Sequence, residues 1–232
     1  VLCQFLTLRL TEFFNPKDEM KSQSLSLYSE PAKRLMHGRV ANRQAGQYAI
    51  HGLFQFAAKA KVVWQDTERG NPFAWWYLGR FEERLQDATL AIKMQRLQLN
   101  QRSNDQTGFD YQPDFEVMTA QTFEVAFITV HAWQAVRLVK QFDHIVLHGE
   151  CLLKVGLMKR ADYYKMRQRL NGLLVAVFQE ASLYTSLDGI TVENVRSLSD
   201  EQKRAAKVMG KKVPKRVIKA GAEPWFGASD HG

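Results

Sequence analysis

Few side chains in this 232-residue chain stand at spacings that chemistry requires. His144 and His148 lie four residues apart, which on a helix puts two imidazoles on one face, as zinc ligation needs. The glutamate of an HExxH motif is missing, since Ile145 takes its place, and no third ligand is nearby. Two ordinary helical histidines are therefore expected. Glu82 and Glu83 are adjacent, hence about 100° apart around a helix, and cannot converge as an acid–base pair. Arg80 is placed to meet Glu83 at a three-residue spacing. "MGKKVPK", 209 to 215, lacks the earlier glycine and the closing Ser or Thr of a phosphate loop. "NDQTGFDYQPD", 104 to 114, lacks the oxygen spacing and final glutamate of a calcium loop. There is no GxSxG, and neither Cys3 nor Cys151 sits in a nucleophile or metal pattern. Enzymatic activity is disfavoured, and no metal or cofactor is expected.

Binding chemistry is better represented. The net charge is +8 and the pI about 9.5, which draws a chain towards polyanions. Between 201 and 219 lie Lys203, Arg204, Lys207, Lys211, Lys212, Lys215, Arg216 and Lys219 against one acid, Glu201. Such density suits phosphate contacts, although a solvated helix face has the same composition. Trp64, Trp75, Trp76 and Trp133 lie in apolar helical segments and are expected in the core rather than as base-stacking platforms. Trp225, in "AEPWFG", reads as an anchor for the tail.

The elements that must carry these groups are mostly helical. "QFLTLRL" (4 to 10) and "SQSLSLY" (22 to 28) alternate as half-buried strands, the second with Leu25 and Leu27 inward. Ser29 caps a short helix with Glu30 and Pro31 in its first turn, and Gly38 ends it. Residues 48 to 66 read as helix, with strand as the alternative for "YAIHGLF". Asn71 and Pro72 open a helix to about residue 100, striped by Phe73, Tyr77, Phe81 and Leu85. "FEVMTAQTFEVAFI" reads as strand. Helices follow after Thr129, from about Arg160 to Leu183, and after Ser199, where Gln202 completes a capping box and Gly210 supplies the stop. Pro214 restarts a last short helix. The expected fold is mainly α with short β-strands. It divides into an N-terminal half (1–102), a loop (103–114) and a C-terminal helical half with a basic tail (115–232).

No apolar run is long enough to span a bilayer, and "VLCQFLTLRLTEFF" has no basic n-region. Two distant cysteines make no disulfide framework. A cytoplasmic protein with no membrane partner is expected.

The blocks "LSLYSEPAKRLMHGR", "NPFAWWYLGRFEERL", "FITVHAWQAVRLVKQFDHIV" and "GITVENV", in this order and spacing, resemble the AcaB-like family of regulators carried by conjugative plasmids and integrating conjugative elements. The likeness runs from about Ser24 to Trp225. It implies a DNA-binding activator of conjugative-transfer genes with a ribbon-helix-helix element. In that element one strand from each of two chains pairs into a ribbon for the major groove. On this sequence "SLSLY" and its Ser-capped helix fit best, with Ser24, Ser26 and Tyr28 outward and Leu25 and Leu27 holding the dimer core. Lys33, Arg34 and Arg39 in the basic stretch that follows join the expected DNA-binding set, with Lys211, Lys212, Lys215 and Arg216 of the tail. Two other strands compete. "QTFEVAFITVHAW" is also strand-then-helix but turns Glu124 outward, whereas Thr7, Arg9 and Thr11 of "TLRLT" offer better DNA chemistry without a following helix. The resemblance thus implies double-stranded DNA as partner and a homo-oligomer, at least a dimer. The alternative is an accessory nucleoprotein that binds DNA largely without sequence preference.

Overall fold

The computed structural model describes residues 22–42, 44, 46, 48–107, 119–197, 199–210 and 212–220. The candidate strand at 4 to 10 and Trp225 lie outside them. In chain order the elements are β1 (Gln23–Leu27), α1 (Glu30–His37), β2 (Gly38–Arg39), β3 (Ile50–His51), α2 (Leu53–Glu68), α3 (Pro72–Thr107) and β4 (Gln121–Val125). Then come α4 (Val130–Lys154), α5 (Arg160–Ser182), α6 (Val192–Arg196), α7 (Asp200–Met209) and α8 (Lys215–Ala220). The described residues are mainly helical, with two small antiparallel two-stranded sheets, β1–β4 and β2–β3. Among them no helix is long and apolar enough to cross a membrane.

Helix starts follow local chemistry. Ser29 holds extended dihedrals and its hydroxyl accepts from the Ala32 N–H, satisfying a donor that the first turn leaves open. Asn71 Oδ1 accepts from the Phe73 N–H at 2.9 Å, ahead of Pro72. Thr129 caps α4 and Ser199 caps α7, which Gly210 ends in the left-handed region. Gly38 is dictated by space as well as by its positive φ of 71°. A Cβ there would meet the Ile50 carbonyl oxygen at 2.0 Å, because β2 closes on β3 directly after α1.

Helix α3 is the spine. It packs on α2, α4 and α5, and buries Phe73, Tyr77, Phe81, Leu85, Ala88, Ile92 and Leu99. Aromatic rings lock the centre: Phe56 of α2 lies 5.8 Å from Phe81 and 5.5 Å from Phe178 of α5. Truncating such a ring to Ala costs about 3–5 kcal/mol. Helix α3 also continues past the expected stop, so Ser103–Thr107, assigned to the loop from their polarity, are helical. Buried Ser103 and Leu99 show why: packing extends the helix where local propensity does not.

Arg80 pairs with Glu180 at 2.6 Å rather than with Glu83. Glu180 is buried on α5 and its charge needs a cation, whereas Glu83 is exposed and gains little from an i,i+3 partner. Glu82, expected as a solvated charge, is half-buried beside His131, with Oε1 3.3 Å from Nε2.

Candidate nucleic-acid interface

Strand β1 alternates because one of its faces covers the core. Leu25 and Leu27 are buried, while Ser24 is exposed and Ser26 half-exposed. Its partner is β4 of the same chain, antiparallel, with Leu25 opposite Phe123, Ser24 opposite Glu124 and Ser26 opposite Thr122. Two of the three strands that compete as readers, β1 and β4, are thus the two halves of one ribbon. Leu25 and Leu27, expected to hold a dimer together, lie instead in the core of their own chain with Phe123 and Val125. The physical reason is matching alternation. Each strand has an apolar face of its own, and pairing them over α4 buries both while filling one hydrogen-bond ladder.

The outward face of this ribbon carries Ser24, Ser26, Thr122 and Glu124. Ser26 Oγ and Thr122 Oγ1 are 3.3 Å apart, so two small hydroxyls sit side by side where a groove-reading surface would expose them. Glu124 places a carboxylate across from Ser24.

The turn from β1 into α1 is held from below. The side chain of Asp143, fully buried on α4, accepts from the Tyr28 N–H at 3.0 Å and from the Ser29 N–H at 2.7 Å. A carboxylate there also faces the positive end of α1. Sequence reasoning passed over Asp143. Its one local sign was an acid between Phe142 and Ile145 on an otherwise apolar helix face.

Of the expected basic residues, Lys33 is mostly covered and pairs with Glu30 at 3.1 Å, while Arg34 is exposed. Arg39 is exposed and donates to the Tyr48 carbonyl at 3.2 Å. Lys212 and Lys215 are exposed near α8, whose packing is on α3 and α6; Lys211 and the Arg216 side chain lie outside the described residues. The ribbon set therefore rests on α4, and the tail set on α3. Lys203 is tied to Asp200 at 2.8 Å, which also lowers the Asp200 pKa through the hydrogen bond and the charge of Lys203.

Residues 18–228 match the model of a family described as "Transcriptional regulator AcaB". The chain belongs to the AcaB family of transcriptional regulators. The crystal structure of AcaB from uropathogenic E. coli is similar in fold, with a TM-score of 0.50 at 15% identity, covering 88% of this chain and 96% of that one. No curated protein matches the chain.

Within this AcaB-family chain the other candidates fall into supporting roles. Trp75 is buried and its Nε1 donates to the Thr67 carbonyl at 3.0 Å; Trp64, Trp76 and Trp133 pack against the core half-buried. His144 is exposed while His148 is buried, so the two imidazoles do not share one open face. Burial lowers the pKa of His148; that of His144 is lowered by partial desolvation of its ring despite the exposed position, opposed by Asp143 and aided by Lys140 and Arg96.

Proposed function

We propose that this AcaB-family regulator is a DNA-binding activator of conjugative-transfer genes that acts in the cytoplasm and reads the major groove with the β1–β4 ribbon. The observation that carries the reading is the pairing of Ser24 and Ser26 with Glu124 and Thr122 on an outward face that leads straight into the Ser29-capped α1. Serine and threonine hydroxyls donate or accept and allow close backbone approach, while Arg34 and Arg39 follow within reach of a phosphate track. The exposed Lys212 and Lys215 add sequence-independent attraction.

The regulator acts as at least a dimer, in which a second copy extends the ribbon. Strand β1 has one sheet neighbour among the described residues, and a strand can take two. A second support is on α3, where Leu90, Met94 and Leu97 are exposed at four- and three-residue spacing, opposite the buried Ala88, Ile92 and Leu99. A helix that is apolar on two opposite faces has one of them to offer.

Selection from a random-sequence duplex pool tests the reading. An enriched sequence that binds at least about a thousandfold tighter than its scramble at physiological salt supports a specific regulator. Binding without enrichment favours the accessory nucleoprotein, a reading supported by the single acid and absence of arginine on the described ribbon face.

A further inference from the structure

A cleft of about 620 Å³ opens between the C-terminal turns of α3 and the first turns of α5, lined by no residue of the ribbon or the tail. Its walls carry Arg102, Lys165 and Arg169 against Asp105 and Asp162, over a floor that includes Gln95. Positions 95, 98, 102 and 105 fall on one face of α3, and 162, 165, 166 and 169 on one face of α5, so helical periodicity brings the charges together. Gln95 is only 8% exposed, and its Oε1 accepts from Arg169 Nη2 at 3.3 Å, which holds that guanidinium at the cleft. Among the described residues no ion pair joins Arg102, Lys165 or Arg169 to an acid.

The sequence around the start of α5 is basic as well. From 154 to 169 the chain carries Lys154, Lys159, Arg160, Lys165, Arg167 and Arg169 against the single acid Asp162. Arg167 lies over the ring of Tyr164, 4.9 Å from its centroid, on the other side of α5 from Lys165 and Arg169. Three cations against two carboxylates leave the cleft net positive, and an oxyanion adds charge-assisted hydrogen bonds to cations that no acid holds in an ion pair.

We propose that the α3–α5 cleft is a phosphate-binding groove for the backbone of a nucleic-acid duplex, a site separate from the ribbon. It rests on the DNA-binding reading for its source of phosphate, and on the geometry above for its chemistry.

The test compares the wild-type chain with Arg102→Gln/Lys165→Gln/Arg169→Gln, and with the charge-matched control Lys59→Gln/Lys61→Gln/Lys93→Gln on exposed positions outside the groove. Binding to the selected duplex and to its scramble is measured by fluorescence anisotropy across a salt series. Thermal stabilisation by inorganic pyrophosphate is measured in parallel. The expected result is a groove variant with weaker binding to both duplexes and a logarithmic salt slope shallower by about 2–3, beyond any change in the control, with sequence preference kept. Should the triple variant fold poorly, Arg102→Gln/Lys165→Gln, which leaves the Gln95–Arg169 hydrogen bond in place, is expected to lower the slope by about 1–2. Loss of pyrophosphate stabilisation with duplex binding intact overturns the backbone source and leaves free phosphate as the ligand. Groove variants that match the control in both assays overturn the site itself. A wild-type chain without sequence preference sinks the specific-regulator reading alone, since the salt slope still reports on the groove.

Discussion

Asp143 Oδ1 lies 2.7 Å from the Ser29 backbone nitrogen, joining the middle of α4 to the first turn of α1 across 114 residues of sequence. The same carboxylate takes the Tyr28 N–H, so one buried side chain fixes both the end of the ribbon strand and the cap of the helix after it. Asp143→Ala leaves two donors without their acceptor and is expected to cost about 2–4 kcal/mol in urea unfolding. Asp143→Asn keeps one acceptor oxygen and costs less. Equal stability of the wild type and Asp143→Ala would show that water replaces the carboxylate without loss.

The ribbon face gives opposite expectations for its two sides. Ser24→Glu/Ser26→Glu adds two carboxylates beside Glu124 and abolishes specific duplex binding, at a folding cost of only about 0.2–1 kcal/mol from cross-strand repulsion. Glu124→Gln removes a charge from the same face and strengthens binding. Leu27→Ala, at a fully buried position, costs about 2–5 kcal/mol of chain stability, independent of protein concentration. A concentration-dependent loss would return Leu27 to a dimer core. Anisotropy and urea titration on the same four proteins separate these effects.

Oligomerisation is expected to depend on the open face of α3. Leu90 is 62% exposed and Leu97 51%, on a helix of 36 residues. Leu90→Glu/Leu97→Glu buries no new charge in the monomer, so helicity by circular dichroism stays unchanged while light scattering shows a smaller particle. An unchanged oligomer would leave the ribbon edge as its support.

Stability is expected to fall below neutral pH. Burial lowers the pKa of His148 from the ordinary 6.5, with His144 shifted the same way. The folded chain thus holds these imidazoles neutral, and the unfolded chain binds more protons as the pH drops. Stability is fully present above pH 6.5 and is lost progressively as pH falls towards the lowered folded-state value. His148→Gln is expected to flatten the melting-temperature difference between pH 7.5 and 5.5. A difference as large as in the wild type would assign the loss to other groups.

The amino-acid sequence by itself determined the pieces whose causes are local. Ser29, Asn71, Thr129 and Ser199 start helices because each hydroxyl or amide oxygen reaches an N–H two or three residues on. The apolar stripe from Phe73 to Leu85 and the alternation of Leu25 and Leu27 marked buried faces, because period alone decides which side chains point together. Tertiary structure decided who meets whom. Strand β1 has a ladder to fill and an apolar face to cover, and several strands satisfied both requirements equally on paper. Only the packing of β1 and β4 over α4 selects Glu124 as the neighbour of Ser24. Arg80 finds Glu180, and Arg102 comes to face Lys165 and Arg169, for the same reason. Side chains far apart in sequence acquire an environment only when the helices that carry them close on a common core, and charge responds to that environment rather than to spacing along the chain.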